Sequence, residues 1–122
     1  MRIDSHQHFW LYNEKDYNWI TDKMKVLRKD YLPTDLAKEM VKLDFEGSIA
    51  VQARQTLTET EWLLELADNY PFILGVVGWV DIRSKDLEKQ LEKYSSHNKF
   101  VGVRHVVQDE PDENFLLRED FL

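Results

Sequence analysis

The chain has 122 residues, of which 43% are hydrophobic and 12% aromatic, so it can form one globular domain with a buried core. It carries 23 acidic and 16 basic residues, and the resulting net charge of −7 argues against a nucleic-acid surface, which requires a basic face. No apolar run predicts a membrane span, no signal-peptide pattern opens the chain, and cysteine is absent, so we expect a cytoplasmic protein.

Four short apolar segments rich in β-branched residues predict β-strands. They lie at about residues 2–10, 48–55, 72–82 and 100–107. Their nearly continuous apolar character is typical of parallel strands that are covered on both faces.

Apolar residues at helical spacing predict a helix in each connection. The first helix is expected to stop before Gly47. The second begins with the capping-box pattern Thr58-Glu-Thr-Glu61, and the carboxylates from Glu59 to Glu65 fit a solvated helix face. Ser84 can cap the third helix.

The alternation of strands and helices predicts an α/β fold with right-handed crossovers. A doubly wound sheet is an alternative, but the first strand-to-helix turn lacks the Gly-x-Gly-x-x-Gly pattern. Polar residues lie at the carboxyl ends of the strands, where a (β/α)8 barrel builds its active site, and such a barrel needs about 250 residues. Residues 1–122 are therefore predicted to form a single, incomplete domain, the amino-terminal half of a barrel.

The most informative motif is Asp4-Ser-His-Gln-His8, in the first predicted strand. Because strand side chains alternate between faces, His6 and His8 should project to the same side. Two imidazoles in this arrangement can hold a divalent metal ion. The alternative is that one or both are ordinary polar residues near a strand end. Their position at the carboxyl end of the first strand favours a metal-binding or catalytic role.

Several segments, in this order, resemble the amidohydrolase superfamily in its sugar-lactonase branch, the L-fuconolactonase and L-rhamnono-lactonase-like proteins. The resemblance extends over nearly the whole chain and implies a (β/α)8 barrel that hydrolyses small cyclic esters or amides. The family has four further strands that supply more metal and catalytic residues. The similar segments are Ile3–Trp10, Arg28–Pro33, Val51–Gln55, Glu59–Ala67, Gly75–Asp81 and Gly102–Pro111.

The resemblance implies roles for several polar residues. His6 and His8 would be metal ligands, and together with His105 they would be catalytic. The expected substrate-binding residues are Gln52, Arg54, Trp79 and Arg104.

Each of these roles has a structural alternative. Arg54 could instead form a salt bridge at the barrel rim, and Trp79 could pack in the core. Arg104 and His105 are adjacent, so in a regular strand they point to opposite faces and only one can line a pocket.

Outside these segments, two further predictions concern loops. His97, in the polar turn Ser95–Asn98, is predicted to be solvated. The aromatic residues of the long first connection could form a lid or, more often, pack against the barrel: Tyr12, Tyr17 and Trp19.

The leading functional prediction is a hydrolase that opens a sugar-acid lactone in carbohydrate catabolism. Water activated by a zinc or manganese ion, or by histidine without a metal, would attack the ring carbonyl. The alternatives are cyclic amide hydrolysis, deamination or decarboxylation on the same barrel, or an inactive truncated fragment. Because a half-barrel leaves two open sheet edges, we also expect a homo-oligomer or a longer chain.

Overall fold

The computed structural model describes residues 1–122 and contains one sheet of four parallel strands in chain order. The strands are β1 (Ile3–Gln7), β2 (Gly47–Val51), β3 (Ile73–Gly78) and β4 (Phe100–Val103). The helices are α1 (Pro33–Leu43), α2 (Leu57–Asn69) and α3 (Leu87–Ser95), with 3-10 turns at Asp22–Leu27, Val107–Asp109 and Phe115–Leu117. The predicted α/β alternation is confirmed. None of the helices has the length and apolarity needed to cross a lipid bilayer.

Every strand ends earlier than the sequence predicted. The predicted strand 2–10 stops at Gln7, three residues short, and the other three each end four residues short. The apolar pattern continues because residues beyond the strands, such as Phe9 and Val80, are themselves buried. Periodicity reports burial, and it therefore overestimates the length of the hydrogen-bonded ladder.

The helix boundaries also differ from those predicted. Helix α2 starts two residues earlier than expected, because Thr56 is its N-cap and its hydroxyl accepts a hydrogen bond from the Glu59 N–H at 3.1 Å. Helix α1 ends at Leu43 and is closed by Asp44 in the left-handed conformation (φ 59°), not by Gly47.

The main core lies between the sheet and its helices. Ala50 of β2 and Val76 of β3 pack against Leu63 and Ala67 of α2, and Tyr94 of α3 belongs to the same cluster. This packing fixes the position of the strand carboxyl ends.

A second, aromatic core forms above the carboxyl end of β1. Trp10, Tyr17 and Ile20 are buried together, with Tyr12 partly buried against them. Trp10 is anchored by an isolated bridge to Tyr31. Of the alternatives for the loop aromatics, packing therefore holds for Tyr17, while Trp19 stays 39% exposed.

Candidate active site

The two histidines of the first strand converge. His6 is the penultimate residue of β1, and His8 follows directly after its last residue. Their Nε2 atoms are 3.2 Å apart and their ring centroids 4.8 Å apart. The i, i+2 spacing therefore places both imidazoles at one point at the carboxyl edge of the sheet.

Neighbouring groups determine which ring nitrogens of His6 and His8 carry a hydrogen. His8 Nδ1 lies 2.9 Å from the Val51 carbonyl oxygen, which can only accept, so Nδ1 carries the hydrogen. Burial lowers the pKa of His8, and the nearby charges of His6 and Arg104 act in the same direction, so the ring is held neutral and its Nε2 is unprotonated. Arg104 donates from a guanidinium nitrogen to His6 Nε2 at 3.1 Å, so this nitrogen also accepts. Two unprotonated nitrogens thus lie side by side, and a cation bound between them would replace the Arg104 hydrogen bond to His6.

Arg104 and His105 follow β4 and point in different directions, as their adjacency predicted. Only Arg104 reaches the histidine pair. The His105 ring accepts a hydrogen bond from the Trp79 indole N–H at 3.1 Å and donates from Nε2 to Glu110 at 2.6 Å. It also stacks on Phe115. The structure therefore places His105 and Trp79 together in a separate cluster and does not bring them to the histidine pair.

The residues predicted on the second strand lie in the loop that follows it. Gln52 is fully buried, and its amide donates to the Arg104 carbonyl at 3.1 Å, while its own amide oxygen has no hydrogen-bond partner. The Arg54 guanidinium forms an ion pair with Asp16 at 2.9 Å. Gln52 thus supports the backbone beside Arg104, and Arg54 forms the rim ion pair named as its alternative.

Two adjoining cavities open at this edge of the sheet. A cavity of about 180 Å³ is lined by His8, Trp10, Arg104 and four residues that it shares with its neighbour. The neighbouring cavity, of about 270 Å³, is lined by Arg54 and Asp16 among others. The shared residues are Trp19, Ala53, Val106 and Asp109. Arg54 therefore faces a space next to the one beside His8, and Trp19 stands between the two.

Sequence reasoning misplaced two polar residues. Glu59, predicted on a solvated helix face, is fully buried, and its carboxylate accepts from the backbone N–H groups of Ala53 and Arg54. The overlapping segment Thr56-Leu-Thr-Glu59 has the same capping-box spacing as Thr58-Glu-Thr-Glu61, and it places Glu59 in the first turn of the helix, next to the preceding loop. His97, predicted to be solvated, pairs with Asp68 at 2.9 Å and accepts from the Lys99 N–H.

The donor set at the histidine pair is small. No group of three His, Cys, Asp or Glu side chains converges anywhere in the structure. A catalytic zinc site normally has about three protein ligands and a water. His6 and His8 therefore fit as two ligands of a site that needs a further one.

Comparison with known proteins finds matches that extend over nearly the whole chain. A family model described as amidohydrolase matches residues 3–121. An L-fucono-1,5-lactonase of Burkholderia multivorans is 47% identical over 112 residues, covering 92% of this chain and 38% of the relative. An L-fucono-1,5-lactonase of Burkholderia ambifaria is 32% identical over 115 residues, covering 94% of this chain and 40% of the relative.

Solved structures agree with these sequence matches. A crystal structure of an amidohydrolase from Burkholderia multivorans with bound zinc superposes with a TM-score of 0.92 at 46% identity, and a second crystal form with bound HEPES superposes equally well. The match covers 99% of this chain and 43% of the zinc-containing one, so the four strands correspond to part of a larger (β/α)8 barrel, as predicted. The chain spans about two-fifths of the length of the curated relatives. It belongs to the amidohydrolase family.

Proposed function

We propose that the full-length protein is a hydrolase that opens a sugar-acid lactone resembling L-fucono- or L-rhamnono-lactone. The observation that carries the proposal is the convergence of three side chains at the carboxyl edge of the sheet: His6 Nε2 lies 3.2 Å from His8 Nε2 and 3.1 Å from the Arg104 guanidinium. The 47% identity to an L-fucono-1,5-lactonase supports the choice of substrate class.

We infer that His6 and His8 hold a divalent metal ion through their Nε2 atoms, with a further ligand from outside residues 1–122. The two unprotonated Nε2 atoms, 3.2 Å apart, support this inference, and the zinc in a 46% identical amidohydrolase favours zinc over manganese. A bound divalent ion would polarise the ring carbonyl and make water acidic enough to attack at neutral pH. The Val51 carbonyl fixes the His8 tautomer, as backbone acceptors commonly do for metal-binding histidines.

The chain's own cations have separate tasks in this proposal. Arg104, beside His6, can stabilise the negative charge that develops on the carbonyl oxygen of the lactone during attack. Arg54, in the adjoining cavity, can bind hydroxyl groups of the sugar. A direct catalytic part for His105 and direct substrate contacts by Gln52 and Trp79 stay predictions. So do the cytoplasmic location, carbohydrate catabolism and the homo-oligomeric state.

The proposal is tested with the purified full-length protein supplied with zinc. Turnover is measured on L-fucono- and L-rhamnono-lactone and on cyclic amides of the same ring size. We expect the lactones to be preferred, and His6→Ala or His8→Ala to lower kcat/KM by at least about a hundredfold together with the zinc content, because the loaded metal supplies the Lewis acid. His97→Ala is the matched control, since His97 pairs with Asp68 outside the site. Turnover of amides alone, or unchanged activity in both site variants, would contradict the proposal.

A further inference from the structure

The Glu59 carboxylate holds two consecutive main-chain N–H groups. The side chain is fully buried, and both of its oxygens lie 3.0–3.1 Å from the nitrogens of Ala53 and Arg54. Since Glu59 lies in the first turn of α2, it joins this rigid helix to the loop after β2. A buried acceptor with two main-chain donors fixes that loop more firmly than an exposed side-chain contact could.

The loop held by Glu59 is where the candidate site is assembled. Val51, at its start, provides the carbonyl that orients His8. Gln52 supports the Arg104 carbonyl, and Gln55 accepts from the Val106 N–H at 2.8 Å. Ala53 lines both cavities. Val51 and Gln52 are also held by Val77 of β3, so a shift after loss of the Glu59 contact would begin at Ala53 and Arg54 and would alter the cavities more than the histidine pair.

Arg54 depends on Glu59 more than on its ion-pair partner. The Asp16 side chain is 35% exposed, and an ion pair with a partner exposed to this degree contributes little to fixing a side chain. The Arg54 backbone, in contrast, is tied to a carboxylate that is shielded from water. The hydrogen bond from the Arg54 N–H to Glu59 therefore fixes the backbone position from which the Arg54 side chain extends.

We propose that Glu59 is a positioning residue of this site, which fixes the Ala53–Arg54 backbone and thereby sets the affinity for the substrate and not the rate of the chemical step. The inference rests on the proposed function, because it assigns the sugar-binding role to Arg54. Glu59 itself touches no substrate. Its essential property is to accept hydrogen bonds, and the neutral amide of glutamine retains one accepting oxygen.

The test uses the full-length protein and compares Glu59→Ala with Glu59→Gln. Glu59→Ala leaves both N–H groups without an acceptor, and we expect faster hydrogen exchange at residues 53 and 54. We also expect KM for the lactone to rise at least about tenfold, while kcat stays within about twofold of the wild-type value. This pattern indicates the loss of binding energy that the ground state and the transition state share. Glu59→Gln should restore most of the exchange protection and of the affinity. Glu65→Ala, an exposed position on the same helix, is the control. If Glu59→Ala does not fold, Glu59→Asp, which is one methylene shorter, takes its place.

A second measurement asks whether Glu59 acts through Arg54. In an Arg54→Ala background, the Glu59 substitution should raise KM little further, because the side chain that it positions is gone. Unchanged exchange at residues 53 and 54 would show that Glu59 does not hold this backbone, whatever the substrate proves to be. Additive effects on KM, or a fall in kcat at constant KM, would overturn the positioning role. A wild-type protein without lactonase activity would instead overturn the proposed function, and the exchange measurement would still decide whether Glu59 holds the Ala53–Arg54 backbone.

Discussion

Burial gives Glu59 an unusually high pKa for an acidic residue of this chain. Burial raises the pKa of Glu59 from its ordinary value of 4.5 to about 7, and it outweighs the Ala53 and Arg54 N–H groups and the charges of Arg54 and Arg104, which act in the opposite direction. Tyr17, which also lies nearby, has its own pKa raised by burial, so it stays neutral in this range. A change of pH near neutrality therefore changes the protonation state of Glu59, and with it the contact that holds the loop after β2.

This shift predicts how stability depends on pH. Between about pH 4.5 and 7 the folded protein keeps a proton on Glu59 that the unfolded chain releases, so this residue makes the free energy of unfolding fall as pH rises through that window. The full effect amounts to about 3 kcal/mol and is complete above about pH 7. Urea unfolding of the wild type and Glu59→Gln across this window should give curves that diverge, since the variant lacks the titrating group. Glu65→Gln is the control, and parallel curves for the wild type and Glu59→Gln would contradict the shift.

At the scale of elements, the site depends on the junction between β2 and α2. The end of β2 orients His8, the loop carries Arg54, and the first turn of α2 supplies both the cap and Glu59. Thr56 caps the helix through its hydroxyl, whereas Thr58, the residue predicted as the cap, is exposed in the first turn.

The two threonines provide a matched comparison. Thr56→Ala should lower the free energy of unfolding by about 1 kcal/mol, because it removes the acceptor for an N–H group at the helix start. Thr58→Ala should change it by less than about 0.5 kcal/mol, as at most surface positions. Urea or thermal unfolding measures both, and equal losses for the two variants would show that the cap is misassigned.

At the scale of the whole molecule, helices cover one face of the sheet and leave apolar side chains exposed on the other. Gly75 lies close to Ile49 and Val101 on the face away from the main core, and Val101 is 60% exposed. The outer edges of β1 and β4 also have no partner strand. Exposed apolar surface and unpaired edges both favour association.

A polypeptide limited to residues 1–122 is therefore expected to self-associate as its concentration rises. Val101→Lys should reduce this association, because it places a charge on the uncovered face. Val41→Lys adds the same charge to α1, where Val41 is already 83% exposed, and should have little effect. Light scattering over a concentration series measures the difference. A wild-type polypeptide that stays monomeric at high concentration would contradict the expectation.

The sequence by itself determined the elements and the histidine pair. Strand and helix periodicity is a property of residues close together in sequence, so it correctly predicted four strands joined by three helices. The i, i+2 spacing likewise placed His6 and His8 together, and adjacency separated Arg104 from His105. Strand ends and caps were less accurate, since burial continues past the ladder and capping patterns overlap at Thr56 and Thr58.

Only the tertiary structure decided which distant residues meet. Arg104 reaches His6 across 98 positions of sequence because parallel strands bring their carboxyl ends to one edge. The burial of Glu59 and the pairing of His105 with Trp79 depend on how α2 and the loop after β4 pack on the sheet. Local spacing fixes the face on which a side chain lies. Its partner and its exposure to water depend on elements far away in the chain, and these two properties decide whether a carboxylate is solvated or holds a loop in place.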